Sequence, residues 1–214
     1  MIQHAARILI GDHQEVLRIG VRDLISSIHD IDMVAEASDG LEALELARSC
    51  KPDIAIVEHA LQGLNGLDLT RRLQKELPAT RVIVYTACFT EDLLVDYVRA
   101  GARGVVLKID RLDDLKIAMK RVLMGKTYFS SSIYEALAHR LAQTQGKEGS
   151  ILTPRERQIV QLVCEGHMNK QIAYVLGVSP KTVETHRAAA MSKLSFTSTA
   201  QLVRFAVRNN LVTA

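Results

Sequence analysis

The chain has 214 residues, 48% of them apolar and 24% charged, with a formal net charge of +3. This is globular composition, which argues against disorder, and no apolar run approaches the roughly 20 residues of a membrane span. Aromatics are only 4%, with no Trp, which argues against modules that stack bases on aromatic platforms.

The first part of the chain alternates short β-branched runs with amphipathic segments. Strands are expected at Arg7–Gly11, Asp32–Ala37, Asp53–Glu58, Arg81–Thr86 and Arg103–Leu107. Four of these are nearly continuous apolar runs, the pattern of parallel strands covered on both faces. Helices are expected near 14–28, 40–50, 65–77, 90–101 and 112–124. In the first, Val16, Leu17, Val21, Leu24, Ile25 and Ile28 are read as one face. Turn signals stand between elements at Ser38-Asp39-Gly40, Lys51-Pro52-Asp53 and Leu77-Pro78. Five alternations predict a doubly wound α/β domain with a five-stranded parallel sheet, because parallel neighbours need crossover helices.

Ligands of such sheets bind outside the carboxyl ends of the strands. Asp12, His13, Glu58, His59, Thr86 and Lys108 fall there. No GxGxxG or GxxxxGK[ST] is present, which argues against dinucleotide and P-loop chemistry. Asp12, His13 and Glu58 also make an alternative transition-metal set, although adjacent residues at a strand end point apart.

Several stretches carry a resemblance: Ile8-Leu9-Ile10-Gly11-Asp12, Pro52 to Val57, Gly63-Leu64-Asn65-Gly66, Tyr85-Thr86-Ala87, and Ala100 to Gly104 running into Leu107-Lys108. Over about residues 6–125 the chain resembles the receiver domain of two-component response regulators. The resemblance implies input from a histidine kinase or another protein, and a phosphoacceptor aspartate ending strand three. Here that residue is Glu58. Of the two adjacent acids that help hold Mg²⁺ in the family, the second is His13. The proline four residues after the acceptor is Gln62, and the aromatic three residues before the lysine is Val105. Thr86 and Lys108 are retained.

Losing a carboxylate weakens a hard Mg²⁺ site, so no cofactor is expected. One extra methylene displaces the acceptor oxygens by roughly 1.5 Å, and a 1 Å misplacement can cost about 10²-fold in rate. The expectation is a degenerate receiver acting without aspartyl phosphorylation, its Glu58 reaching Lys108 as a partial mimic. The alternatives are a regulator phosphorylated at a non-standard residue, or a protein-interaction adaptor.

A connecting helix is expected over residues 130–142, with Ser130 as its cap, followed by a polar linker from Gln143 to Ser150. The expected domains are 1–125, a connector at 126–150, and 151–214. Residues 147–214 carry nine basic and four acidic side chains, while the preceding residues carry 18 and 20. A basic tail behind an acidic front places the polyanion-binding surface on the second domain.

The tail reads as four helices. Thr153-Pro154-Arg155-Glu156 is a capping box, and Ile159, Leu162 and Val163 form a buried face. Asn169 is the expected cap of a second helix stopped by Gly177, and Ser179-Pro180 opens a third. There Val183, Ala190, Met191 and Leu194 repeat at core spacing, and Lys181, Glu184, Thr185 and Ala188 form the opposite stripe. Two helices joined by a tight Gly turn make a helix-turn-helix.

The stretches Leu152 to Arg157, Asn169 to Ala173, Leu176 to Arg187 and Lys193-Leu194 resemble the LuxR/FixJ-type DNA-binding domain. Double-stranded DNA is the expected partner. Glu184 suits cytosine N4, Thr185 suits a base edge or a thymine methyl, and Thr182 is counted with the DNA-binding residues. Ala188 allows close approach, and Lys170, Lys181, His186, Arg187 and Lys193 are the phosphate candidates. The final helix, near 198–209, is apolar on two sides, which predicts a homodimer. Free thiols at Cys50, Cys88 and Cys164, and a first seven residues without a leader pattern, predict a cytoplasmic, non-membrane protein, and a transcription regulator is expected not to be an enzyme.

Overall fold

The computed structural model describes residues 5–87, 90–134, 152–209 and 211–212. The chain divides into two compact units, Met1–Glu148 and Gly149–Ala214.

In the first unit the elements run β1 (Ala6–Gly11), α1 (Glu15–Ser26), β2 (Ile31–Ala37), α2 (Gly40–Cys50), β3 (Ile54–Val57), α3 (Gly66–Glu76), β4 (Arg81–Thr86), α4 (Glu91–Arg99), β5 (Gly104–Leu107), α5 (Leu112–Leu123) and β6 (Tyr128–Phe129). The sheet has the order β2-β1-β3-β4-β5-β6, and every pair is parallel. The order reverses between β1 and β3, so a crevice opens at their carboxyl ends.

Strand periodicity sorts the core into two layers. Leu9, Ala55, Val57, Val82, Val84 and Val105 pack on one face with residues of α2, α3 and α4. Ile8, Ile10, Ile54, Ile56, Ile83 and Val106 pack on the other with α1 and α5. Successive strand residues point to opposite faces, and here both faces are apolar. Side chains cap the helices: Asp39 accepts from Leu41 N and Glu42 N, Asn65 from Asp68 N, and Thr90 from Leu93 N. Each cap contributes about 1 kcal/mol.

Three details correct the sequence reading. The sheet has six strands rather than five, since Tyr128 and Phe129 pair with Gly104 and Val105. Two residues are too short a run to show periodicity. The first domain accordingly continues past residue 125, and Ile133 is fully buried in its core. Val16 is 79% exposed, because it lies about 140° around α1 from Val21 at 100° per residue. Residues 131–134 are helical. The rest of the expected connecting helix, the linker and Cys88 lie outside the described residues. The Ser130 hydroxyl is buried with no hydrogen-bond partner among the described residues, so it does not cap that helix.

The second unit contains α6 (Pro154–Cys164), α7 (Asn169–Leu176), α8 (Pro180–Lys193) and α9 (Thr199–Arg208). Ile159, Leu162, Ile172, Val183, Ala190, Leu202 and Ala206 form its core. The capping box at Thr153 and Glu156 is formed, with Pro154 in the first turn. The N-cap of α7 is Met168 rather than Asn169, and Gln171 Oε1 accepts from Met168 N at 2.8 Å. Here the reciprocal half of a capping box closes the helix, so no Asn oxygen is needed in that place. Gly177 ends α7 at φ 62°, and Val178 N donates to Ala173 O at 3.0 Å. This left-handed closure sets the tight turn into α8.

Candidate functional site

The rim of the first unit is a buried polar network at the strand ends. Asp12 is 2% exposed, Glu58 3% and Thr86 2%. Asp12 follows β1, Glu58 follows β3, Thr86 ends β4 and Lys108 follows β5. The Lys108 ammonium lies 2.7 Å from Asp12 Oδ2 and forms an ion pair with Glu58 Oε2. The other Glu58 oxygen accepts from the Thr86 hydroxyl, from His59 N, and from Ala60 N at 3.3 Å. Asp12 Oδ1 accepts from Gln14 N at 2.8 Å, and Lys108 also reaches Gln14 Oε1 at 3.3 Å.

Such a cluster persists only because its charges are paired and its lone pairs filled. Burial alone would pull the Lys108 ammonium down. The charge of Glu58 and hydrogen bonds to Asp12 and Glu58 outweigh it and hold Lys108 above the ordinary lysine range.

His13 stands at the edge of this network, its Nδ1 3.9 Å from Asp12 Oδ1. The lysine ammonium bridges the two carboxylates, and among the described residues no three His, Cys, Asp or Glu side chains converge. The structure thus brings Asp12, Glu58, Thr86 and Lys108 together and leaves His13 beside them.

Sequence reasoning missed a second set of groups here. The His59 ring and Tyr97 of α4 are both 1% exposed, with His59 Nδ1 2.9 Å from the Tyr97 hydroxyl. A Cβ on Gly66 would stand 2.2 Å from Glu58 O and 2.8 Å from that hydroxyl, so only glycine fits there. His59 is placed at the rim by its position, but Tyr97 does not announce itself, because it sits in an apolar helix stripe where an aromatic reads as core.

In the second unit, α8 presents Lys181, Glu184, Thr185 and Ala188 to solvent on one stripe. Seven residues at 1.5 Å rise make about 10 Å, roughly three base steps at 3.4 Å. Lys181 Nζ is 3.8 Å from Glu184 Oε2, an exposed pair of small energetic value. Thr185 Oγ1 donates to Lys181 O at 3.0 Å, and the Thr182 hydroxyl lies 2.9 Å from Ser179 Oγ. Lys170 is exposed in the first turn of α7, and His186 is half-buried.

Two basic residues have internal duties instead. Arg187 donates to Asn169 Oδ1 at 3.4 Å and to Thr199 Oγ1 at 2.9 Å. Lys193 pairs with Glu156 at 2.7 Å. Burial alone would raise the Glu156 carboxyl, but hydrogen bonds from Lys193 and Thr153 outweigh it and hold it below the ordinary range. Burial pushes the Cys164 thiol up to about 11, so it stays protonated at neutral pH.

Two family models match the chain in sequence order. The response regulator receiver domain matches residues 8–120, and the luxR family of bacterial regulatory proteins matches residues 150–206. The chain belongs to the LuxR-type response regulators. Response regulator GacA of Pseudomonas aeruginosa is 32% identical over 210 residues, covering 97% of this chain and 98% of GacA. Oxygen regulatory protein NreC of Staphylococcus aureus is 31% identical over 214 residues, covering 96% and 99%. RcsB from Salmonella enterica serovar Typhimurium, solved bound to promoter rprA in the presence of phosphomimetic BeF3−, has a TM-score of 0.66 at 22% identity, covering 94% of this chain and 98% of RcsB. At that identity the likeness speaks for the fold.

As a LuxR-type regulator the protein is a DNA-binding transcription regulator of the two-component class. Among the described residues no helix is long and apolar enough to cross a membrane.

Proposed function

We propose that this regulator binds paired DNA half-sites as a homodimer while its receiver acts without aspartyl phosphorylation. One observation carries the reading. A single Glu58 carboxylate engages both retained switch residues, accepting from the Thr86 hydroxyl and pairing with Lys108. The RcsB structure holds promoter DNA together with an added phosphomimetic; here a side chain supplies the negative charge. A carboxylate carries −1, against about −1.5 to −2 for a phosphoryl group, so the receiver is held in one state by an incomplete mimic. The protein works without Mg²⁺, catalyses nothing, and acts in the cytoplasm. A kinase or other protein that docks on the receiver acts through contact rather than phosphoryl transfer.

On the DNA side, Lys170 and Lys181 contact phosphates with help from His186, while Thr182, Glu184, Thr185 and Ala188 face base edges. Arg187 and Lys193 reach phosphate only as extensions of their internal contacts. The dimer uses α9, where Leu202 and Ala206 are buried in the unit's own core and Val203 faces solvent.

Acetyl phosphate with Mg²⁺ should add no phosphate mass to the full chain and should leave promoter affinity unchanged. Glu58→Ala should weaken DNA binding, as loss of a mimic requires. Glu58→Asp combined with His13→Asp should accept phosphate. Stoichiometric phosphorylation of the native chain with a tenfold gain in affinity, about 1.4 kcal/mol, would overturn the reading. Val203→Glu should abolish cooperative occupancy of paired half-sites while single-site binding survives.

A further inference from the structure

The Glu58 carboxylate is one residue away from a buried bridge to helix α4. Its Oε1 accepts from the backbone N of His59. The ring of the same His59 meets Tyr97 edge to face, centroids 5.8 Å apart at 77°, with Nδ1 in hydrogen-bond contact with the tyrosine hydroxyl. Gly66 N donates to His59 O at 2.9 Å, so the backbone after β3 is fixed on its other side as well. The missing Cβ of Gly66 is what lets that hydroxyl approach.

Tyr97 also fills core volume. It shares one apolar cluster with Val84, Leu94 and Val105. Val105 is the β5 position where the receiver resemblance implies an aromatic, and it is buried in that cluster as a valine. The fully buried aromatic ring of this layer comes from α4, with Phe129 of β6 packed at its edge.

We infer that Tyr97, acting through His59, is the positioning residue that couples the Glu58 carboxylate to helix α4 in place of a β5 aromatic. The inference rests on the proposed role of Glu58. Turning that carboxylate away from Thr86 and Lys108 breaks its bond to His59 N and releases the His59 peptide. The attached ring then loses its alignment with the Tyr97 hydroxyl, and α4 loses a buried polar anchor. Close-packed neighbours of this kind repack between discrete arrangements rather than deforming smoothly.

A double-mutant cycle read by amide hydrogen exchange on the full chain tests the coupling. Glu58→Ala should speed exchange of the α4 amides about tenfold, with the isosteric Glu58→Gln acting in the same direction. In a Tyr97→Phe background, which keeps the ring and removes only the hydroxyl, the same changes should alter α4 exchange less than about twofold. His59→Phe should uncouple the two sites in the same way. Helix α2, which packs on the same face of the sheet, reports general loosening and should not follow α4. Equal effects of Glu58→Ala in both backgrounds, or α2 and α4 moving together, would overturn the inference. Weakened DNA binding by Glu58→Ala with unchanged α4 exchange would overturn it while leaving the role of Glu58 intact. No effect on either readout would overturn both.

Discussion

The receiver rim and the α8 stripe are both polar, yet they are built in opposite ways. At the rim, Asp12, Glu58 and Lys108 are buried and satisfy one another. On α8, Lys181, Glu184 and Thr185 are exposed, and their only mutual ion pair is a long one. A closed network spends its charge internally and holds one geometry. An open stripe keeps its charge available to a polyanion that arrives from outside. Burial separates the two, although the residue types are nearly the same.

The largest test of this contrast is Lys108→Met. It strands two buried carboxylates and should cost about 3–5 kcal/mol in urea unfolding, the range for breaking a buried pair. Lys181→Met should stay within about 0.5 kcal/mol, as an exposed surface change does. Similar costs at the two sites would erase the distinction.

Next is Glu156→Gln, in the half-buried pair of the second unit. It should destabilise by about 1–2 kcal/mol, as loss of a charged cap does. The folded carboxyl is held below its ordinary value of 4.5. Its stabilisation is therefore complete above that pH and is lost as pH falls through the lower folded value. Thermal melts should show the gap between native chain and variant closing as the pH falls below about 4.5. A gap that stays constant with pH would remove the charge from the explanation.

Glu184→Ala should leave stability unchanged and relax preference at one base pair by about 1–3 kcal/mol. Binding-site selection on random DNA checks this, and an unaltered logo would move Glu184 off the bases. The smallest effect is that of Lys181→Ala, which should weaken all sequences alike and reduce the salt slope by about 1. A titration from low to high salt measures it, and a sequence-dependent loss would reassign Lys181 to base readout.

Much of this was legible in the chain. Continuous apolar runs marked β1, β3, β4 and β5, and Gly177 with Ser179-Pro180 marked the turn into α8. The residues after each strand located Asp12, Glu58, Thr86 and Lys108. What escaped was set by tertiary contact. Tyr128-Phe129 becomes a strand only because β5 offers an open edge to pair with. His59 and Tyr97 lie 38 positions apart and meet only once α4 packs on the sheet. Arg187 and Lys193 look like any surface cation until Asn169, Thr199 and Glu156 arrive beside them. Local pattern records which face is buried, but not which distant polar atom waits there.

Two neighbouring residues at the start of α6 clamp the helix-turn-helix from behind. Arg155 Nη2 donates to Leu176 O at 3.2 Å and so holds the end of α7, while Glu156 holds Lys193 at the end of α8. The ends of α7 and α8 are thus tied to α6 before any DNA is met. Docking then incurs little ordering entropy, and the calorimetric heat capacity change should scale with the apolar surface covered rather than carry the larger signature of a helix folding on its target. A reader built in this way exchanges adaptability for speed: it rejects a poorly matched site by releasing it, not by reshaping itself to fit.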